Sequence, residues 1–270
     1  MKLSLLLVGS GKMGQAMLGG WIDKGIRPAD IVVVDPGPEN LAIAARLGCQ
    51  AVAAVDDIPD DFRPDVLVLA VKPQVILDVL PTYRAFAAAG SLIISIAAGT
   101  RLATFEAAFG ADAAIIRTMP NTPAAVHQGM MVSCANVAVS LVQREVCDQL
   151  MQAIGEVAWV EEEALMDAVT GLSGSGPAYV FYMIECMAEA GVKAGLSEAL
   201  AVQLAQQTVA GAGALARQSS DSAAQLRVNV TSPNGTTAAG LAVLMDEKSG
   251  LAPLMEKTVA AATERSKELG

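Results

Sequence analysis

The 270 residues suffice for one large domain or, on typical domain sizes, two; with 53% hydrophobic and 17% charged residues there is ample material for a core and little reason to expect disorder. A net charge of −10 argues against nucleic acid and anionic membrane surfaces as partners, because both would be repelled. Aromatic residues make up 4%, so the core has to be built from Ala, Val, Leu, Ile and Met.

Cys49, Cys134, Cys147 and Cys186 are scattered without a C-x-x-C pair, and His127 is the single histidine, so no clustered set of zinc ligands is present. The cysteines are expected as small buried hydrophobes of a reducing compartment. No cleavable leader is evident at the start. The longest uncharged stretch, between Arg84 and Arg101, is too short and too rich in small residues for a membrane span. These features point to a soluble, cytoplasmic protein.

In chain order, "LSLLLVG" (residues 3–9) is apolar along its whole length, as expected of a strand covered by helices on both faces. "KMGQAMLGGWIDKG" has helical spacing and stops at Gly25. "IVVVD" ends at Asp35 and "PGPE" turns into a new helix. "DVLVLAVKP", "SLIISIAAG" and "AAIIRTMPN" follow as strands ending at Pro73, Gly99 and Asn121, each succeeded by a helix or turn. Two further strands are expected at residues 129–135 and 156–160, with a helix over residues 140–153 between them. Strand–helix alternation of this kind implies an α/β fold with a Rossmann-type doubly wound parallel sheet.

The pattern changes after Glu161-Glu162-Glu163. No strand signal follows, and strongly apolar helices are expected around "GPAYVFYMIECMAEAG", with Pro177 in the first turn, around "SEALAVQLAQQTVAGAGALARQ", and from Pro253 onward. This divides the chain into a dinucleotide-binding domain, 1–162, and an all-helical domain, 163–270. Helices this apolar need covering, so the second domain is expected to form a homodimer.

"VGSGKMG" sets Gly9, Gly11 and Gly14 in a G-x-G-x-x-G pattern between a strand and a helix. The first glycine makes the tight turn, the second lets the backbone approach a pyrophosphate, and the third lets the helix pack against the sheet. Gly9, Ser10, Gly11, Lys12, Met13 and Gly14 are therefore the expected cradle for NADPH or NADH. Asp35 falls about 20 residues further on, where an acid can bind the adenosine ribose hydroxyls, although it can equally cap the Pro-Gly-Pro turn that follows. Val71, Lys72 and Pro73 end a strand on the ligand edge, with Lys72 a candidate positive charge beside the cofactor. Ala97 and Ala98 leave room for a nicotinamide ring. Asn121 is placed to bond its carboxamide or a neighbouring loop. His127 has no evident partner that would make it an acid or a base.

Reaction class turns on one position. Dehydrogenases acting on β-hydroxyacids carry G-x-x-G-x-G-x-x-x-K, whose lysine takes the alcohol proton. Here Gly171, Gly174 and Gly176 keep the spacing, but the lysine slot holds Val180. An alcohol is not readily oxidised without a proton acceptor. An iminium carbon is already electrophilic, so imine reduction is favoured. A small-acid dehydrogenase of the same architecture is the alternative, and a non-catalytic nucleotide-sensing or scaffold protein is a third reading.

"VGSGKMG", "AVKPQ", "SIAAG", "MPNTP", "GLSGSGPAYVF" and "LRVNVTSPNGTTAAGLAVLMD", in this order over nearly the whole chain, resemble pyrroline-5-carboxylate reductases. The resemblance implies NAD(P)H-dependent reduction of 1-pyrroline-5-carboxylate to proline, the last step of proline biosynthesis. It also implies a helical domain that interlocks with a partner subunit, and dimers that in some members build a larger ring, here a decamer. It makes Ser232, Asn234, Gly235, Thr236 and Thr237 the loop that binds the substrate carboxylate, with the Thr237 hydroxyl also near the ring nitrogen as the catalytic group. Ser175 opens another helix facing the substrate. The free N–H groups of a helix beginning at residue 238 would serve the carboxylate. Two departures stand out. Asn234 takes a position that is usually glycine, and Asn tolerates left-handed backbone well. The Asp35 loop lacks the arginine often found after the second strand in members preferring NADPH.

Overall fold

The computed structural model describes residues 3–270. By compactness the chain divides into residues 1–174 together with 262–270, and residues 175–261.

The first unit is built on an eight-stranded sheet: β1 (Leu5–Val8), β2 (Ile31–Val34), β3 (Gln50–Val52), β4 (Val66–Leu69), β5 (Leu92–Ser95), β6 (Ile115–Met119), β7 (Gly129–Ala135) and β8 (Gly155–Trp159), in the order β3-β2-β1-β4-β5-β6-β7-β8. All four residues of β1, β2, β4 and β5 are buried, as continuous apolar runs require. Successive side chains go to opposite faces. Leu5, Leu7, Val33, Val66 and Ile94 join Met17, Leu18 and Trp21 of α1 (Lys12–Asp23) in one layer. Leu6, Val8, Val32, Leu67 and Ile93 join Leu80, Tyr83 and Phe105 in the other. Each such side chain, fully buried, contributes about 1.5–3 kcal/mol relative to remaining in water. The second crossover passes through α2 (Pro38–Arg46), with its proline at the start.

Two features of the sheet depart from the expected pattern. β3 had no counterpart among the expected strands. It is three residues long and only partly buried, so it lacks the apolar run that marks the others. β7 runs antiparallel to β6, with Thr118 opposite Ser133, whereas the other neighbours are parallel. The connection over residues 120–128 is too short for the crossover that a parallel pair needs. β7 and β8 are again parallel because the helix Leu141–Met151 crosses between them. The 3₁₀ turn Glu163–Leu165 leads on from the sheet, and Glu163 accepts from Arg117 at 3.0 Å and from the Leu102 amide at 2.7 Å.

The second unit contains the helices Gly176–Lys193, Glu198–Gln218, Ala223–Asn229 and Thr236–Leu244, and the helix Leu251–Leu269 starts within it. Pro177 lies in the first turn of its helix, as expected. This unit has almost no core of its own. Ala188, Ala201 and Ala205 are its buried apolar residues, while Phe181, Tyr182, Leu204, Val243 and Leu254 are exposed. Cys49, Cys134 and Cys147 are buried as expected, and burial pushes the Cys147 thiol up to about 12. Cys186 is exposed, contrary to expectation, because its helix belongs to the unit that buries so little. Among the described residues no helix is long and apolar enough to cross a membrane.

Trp21 ties α1 to the helix Leu141–Met151 within the same layer. It is fully buried and its indole N–H donates to the Leu150 carbonyl at 2.9 Å. Trp21→Phe removes that donor and leaves a buried acceptor unpaired, which costs about 1–3 kcal/mol. The urea midpoint followed by far-UV circular dichroism is expected to fall accordingly; an unchanged midpoint would show that the bond is dispensable.

Candidate functional site

β1 and β4 are neighbours, yet the chain leaves β1 toward β2 on one side and reaches β5 from β4 on the other. A crevice opens outside the carboxyl ends of strands at such a switch point. Gly9 sits there at φ +93°, and a Cβ on it would stand 2.7 Å from the Ala70 carbonyl oxygen. Its N–H donates to the Val34 carbonyl at 2.8 Å, so the loop is stitched to β2 as well. A Cβ on Gly14 would collide with the Gly9 carbonyl oxygen, which is how closely α1 begins against the loop.

A cavity of about 600 Å³ adjoins this point, bordered among others by Gly9, Gly11, Asp35, Asn40, Val71 and Lys72. Gly11 precedes α1, and no side chain caps the helix, so its first N–H groups face outward with the positive end of the helix dipole. A Cβ on Gly11 would meet nothing within 4 Å. Ser10 is fully buried in the loop, and its hydroxyl has no hydrogen-bond partner. An orphaned hydroxyl, uncapped amides and open space beside Gly11 fit a dinucleotide pyrophosphate. Lys12 is exposed at the first helical position, and Met13 is partly buried.

Asp35 is 6% exposed, with its carboxylate tied into the loops around it. One oxygen accepts from the Ser10 amide at 2.6 Å; the other accepts from the Gly37 amide at 2.8 Å and from the Asn40 side-chain amide at 3.0 Å. Gln15 completes the network, donating to the Ser10 carbonyl at 2.8 Å and to the Asn40 side-chain oxygen at 3.1 Å. Sequence reasoning missed Gln15 and Asn40. The signal available was a polar residue on the first turn after each Gly-containing loop.

Lys72 and Pro73 are exposed after β4, and Val71 is partly buried. Past β5, Ala97 is buried, its amide 3.2 Å from the Ser95 hydroxyl, and Ala98 is partly exposed. Both ends of the Asn121 side chain are engaged: it accepts from the Met130 amide at 2.8 Å and donates to the Ser173 carbonyl at 3.2 Å. These bonds belong to the second of its two expected roles, bracing neighbouring loops. His127 caps a 3₁₀ turn in left-handed conformation and contacts the Ala153 carbonyl at 3.0 Å through Nδ1.

In the helical unit, residues 232–235 form a turn with Asn234 left-handed at φ +56°. The helix begins at Thr236 rather than at 238, so Thr236 and Thr237 are its first residues. The earlier start follows from Gly235, whose extended backbone makes it the N-cap. Having no side chain, it leaves the helix start uncapped. Ser232, Asn234, Thr236 and Thr237 are all exposed. Ser175 likewise precedes its helix without capping it through its side chain. Among the described residues no group of three or more His, Cys, Asp or Glu side chains can hold a metal ion.

A doubly wound sheet with a glycine phosphate loop, followed by helices with uncovered apolar faces, defines a two-part nicotinamide-dependent oxidoreductase. Residues 163–269 match a family model described as pyrroline-5-carboxylate reductase dimerisation, and residues 4–99 match one described as NADP oxidoreductase, coenzyme F420-dependent. A pyrroline-5-carboxylate reductase of a Synechocystis species is 44% identical, covering 100% of this chain and 99% of the relative. The structure of a pyrroline-5-carboxylate reductase from Coxiella burnetii superposes with a TM-score of 0.94 at 34% identity, covering 100% and 99% of the two chains. That of the Plasmodium falciparum pyrroline carboxylate reductase with NADP bound gives 0.84 at 31%, with the same coverage. The chain belongs to the pyrroline-5-carboxylate reductase family.

Gly11 separates binding from folding. Gly11→Ala places a methyl group in open space, so the melting temperature should stay within a degree or so of the parent's, a surface-like effect. Dinucleotide affinity, measured by nicotinamide fluorescence, should fall about tenfold or more where the backbone must approach the pyrophosphate. Unchanged affinity would move the phosphates away from Gly11.

Proposed function

We propose that the chain reduces 1-pyrroline-5-carboxylate to L-proline with NADPH or NADH, as the last step of proline biosynthesis. The observation that carries the substrate assignment is the uncapped helix start at Thr236, reached through a left-handed Asn234 in a turn of small polar residues. In this reading Ser232, Asn234, Gly235, Thr236 and Thr237 hold the substrate carboxylate, mostly through backbone N–H groups. Charge-assisted bonds of this kind contribute about 1.5–3 kcal/mol each. Ser175 adds a hydroxyl to the substrate contacts. The Thr237 hydroxyl bonds at the ring nitrogen.

Gly9, Ser10, Gly11, Lys12, Met13 and Gly14 hold the pyrophosphate. Asp35 takes the adenosine ribose, and Val71, Lys72 and Pro73 flank the same half of the cofactor. Ala97 and Ala98 make room for the nicotinamide, and Asn121 braces the loop beside it. When bound, the dihydronicotinamide supplies the hydride that saturates the C=N bond. The protein's part is to fix ring and donor together, for which positioning is the main source of rate. Val180 in place of the lysine of β-hydroxyacid enzymes removes the proton acceptor that a small-acid dehydrogenase needs.

We assign residues 1–162 to cofactor binding and residues 163–270 to substrate binding and dimerisation. The exposed Phe181, Tyr182, Leu204 and Leu254 support a homodimer through the helical part, and a decamer built from five such dimers is the larger assembly that native mass spectrometry tests. We place the enzyme in the cytoplasm.

Turnover with the cyclic imine, against a panel of β-hydroxyacids, separates the imine reductase from its alternative. Thr237→Ala is expected to slow imine turnover about tenfold or more, the loss of one charge-assisted bond, with dinucleotide affinity unchanged. Normal turnover by that variant would remove Thr237 from the mechanism.

A further inference from the structure

We propose that the Asp35 carboxylate, locked by Ser10, Gly37 and Asn40, makes this enzyme select NADH over NADPH. The inference rests on assigning the adjoining cavity to the adenosine half of the cofactor.

A carboxylate offers four acceptor positions on two oxygens. Here three are filled: one on Oδ2 by the Ser10 amide, two on Oδ1 by the Gly37 amide and the Asn40 side chain. The remaining position is on Oδ2, and Asp35 borders the cavity. A ribose hydroxyl is a donor and can fill it. The 2′-phosphate of NADPH is an acceptor that carries about −1.5 to −2 charge. It meets an anion there and offers it no hydrogen.

The carboxylate is not free to turn away. Gln15 fixes Asn40 with its nitrogen toward Asp35, because the Asn40 oxygen accepts from Gln15 at 3.1 Å. Rotation of Asp35 would break that chain and leave the buried Ser10 amide unpaired, a costly state. Nor does the loop supply a compensating cation. Residues 36–40 read Pro-Gly-Pro-Glu-Asn, so Glu39 adds a second negative charge. A Cβ on Gly37 would stand 3.0 Å from Asp35 Oδ1 and 3.3 Å from Asn40 Nδ2, so a basic side chain at that position would push into the lock. Among the side chains bordering the cavity, Lys72 is positive while Asp35 and Asp78 are negative. The Plasmodium relative was solved with NADP, so the family's fold accommodates the phosphate, and the selection proposed here lies in these side chains.

The test is equilibrium binding to the intact enzyme, by nicotinamide fluorescence for NADH and NADPH and by calorimetry for 5′-AMP and 2′,5′-ADP, which differ only in the 2′-phosphate and carry no hydride. NADH should bind about tenfold or more tightly than NADPH, as expected for like charges a few ångströms apart near a surface. 5′-AMP should exceed 2′,5′-ADP in the same sense. The double variant Asp35→Ser/Gly37→Arg should invert both ratios. Equal or tighter binding of NADPH by the parent enzyme overturns the proposal while leaving the cavity's assignment intact. Failure of both dinucleotides to bind overturns both. A folded double variant that keeps the parent's ratios removes Asp35 as the selecting group.

Discussion

The glycine turn that opens the sheet unit depends on the close approach of Gly9 to the Ala70 carbonyl. β1 and β4 run side by side in register to Val8 and Leu69, and the Ala70 amide donates back to the Val8 carbonyl at 2.7 Å. The chain then has to leave this pair sharply, and a left-handed residue without a Cβ meets that demand. Because Gly9 also bonds Val34, the turn is held by strands on both sides. The loop and the start of α1 are thereby set before any ligand arrives. Preorganisation of this kind turns hydrogen-bond donors into affinity, since little ordering remains to be done on binding.

The Asp35 lock extends the same principle to side chains. Ser10, Gln15, Asp35, Gly37 and Asn40 come from two loops and the helices that follow them, and their bonds join those loops into one body. A single carboxylate thus ties the glycine loop through Ser10 to the loop after β2 while bordering the cavity. Elsewhere in this unit the Arg117–Glu163 pair plays a purely structural part. Arg117 is 6% exposed in its side chain, and Glu163 also takes the Leu102 amide, so the pair's charges are satisfied where they are desolvated.

The helical unit follows a different logic. With three alanines as its buried apolar residues, it cannot offset the entropy of ordering its own chain by internal burial. Its stability has to come from covering Phe181, Leu204 and their neighbours, the work of a dimerisation segment. The polar turn at 232–235 lies on this unit, before the helix Thr236–Leu244.

Strand–helix alternation, the glycine turn between β1 and α1 and the all-helical character beyond residue 163 were legible in the amino-acid sequence, since each is a local pattern: an apolar run, glycines at fixed offsets, a helical period. The left-handed Asn234 belongs with them, because its backbone preference is intrinsic to the residue. Tertiary structure alone decided the brief β3, the bracing of Asn121 between Met130 and Ser173, and the lock on Asp35. These depend on partners brought together by folding: Asp35 meets Ser10 across 25 residues of chain, and Asn121 meets Ser173 across 52. A residue's type states which bonds it can make, and packing chooses which of them it does make.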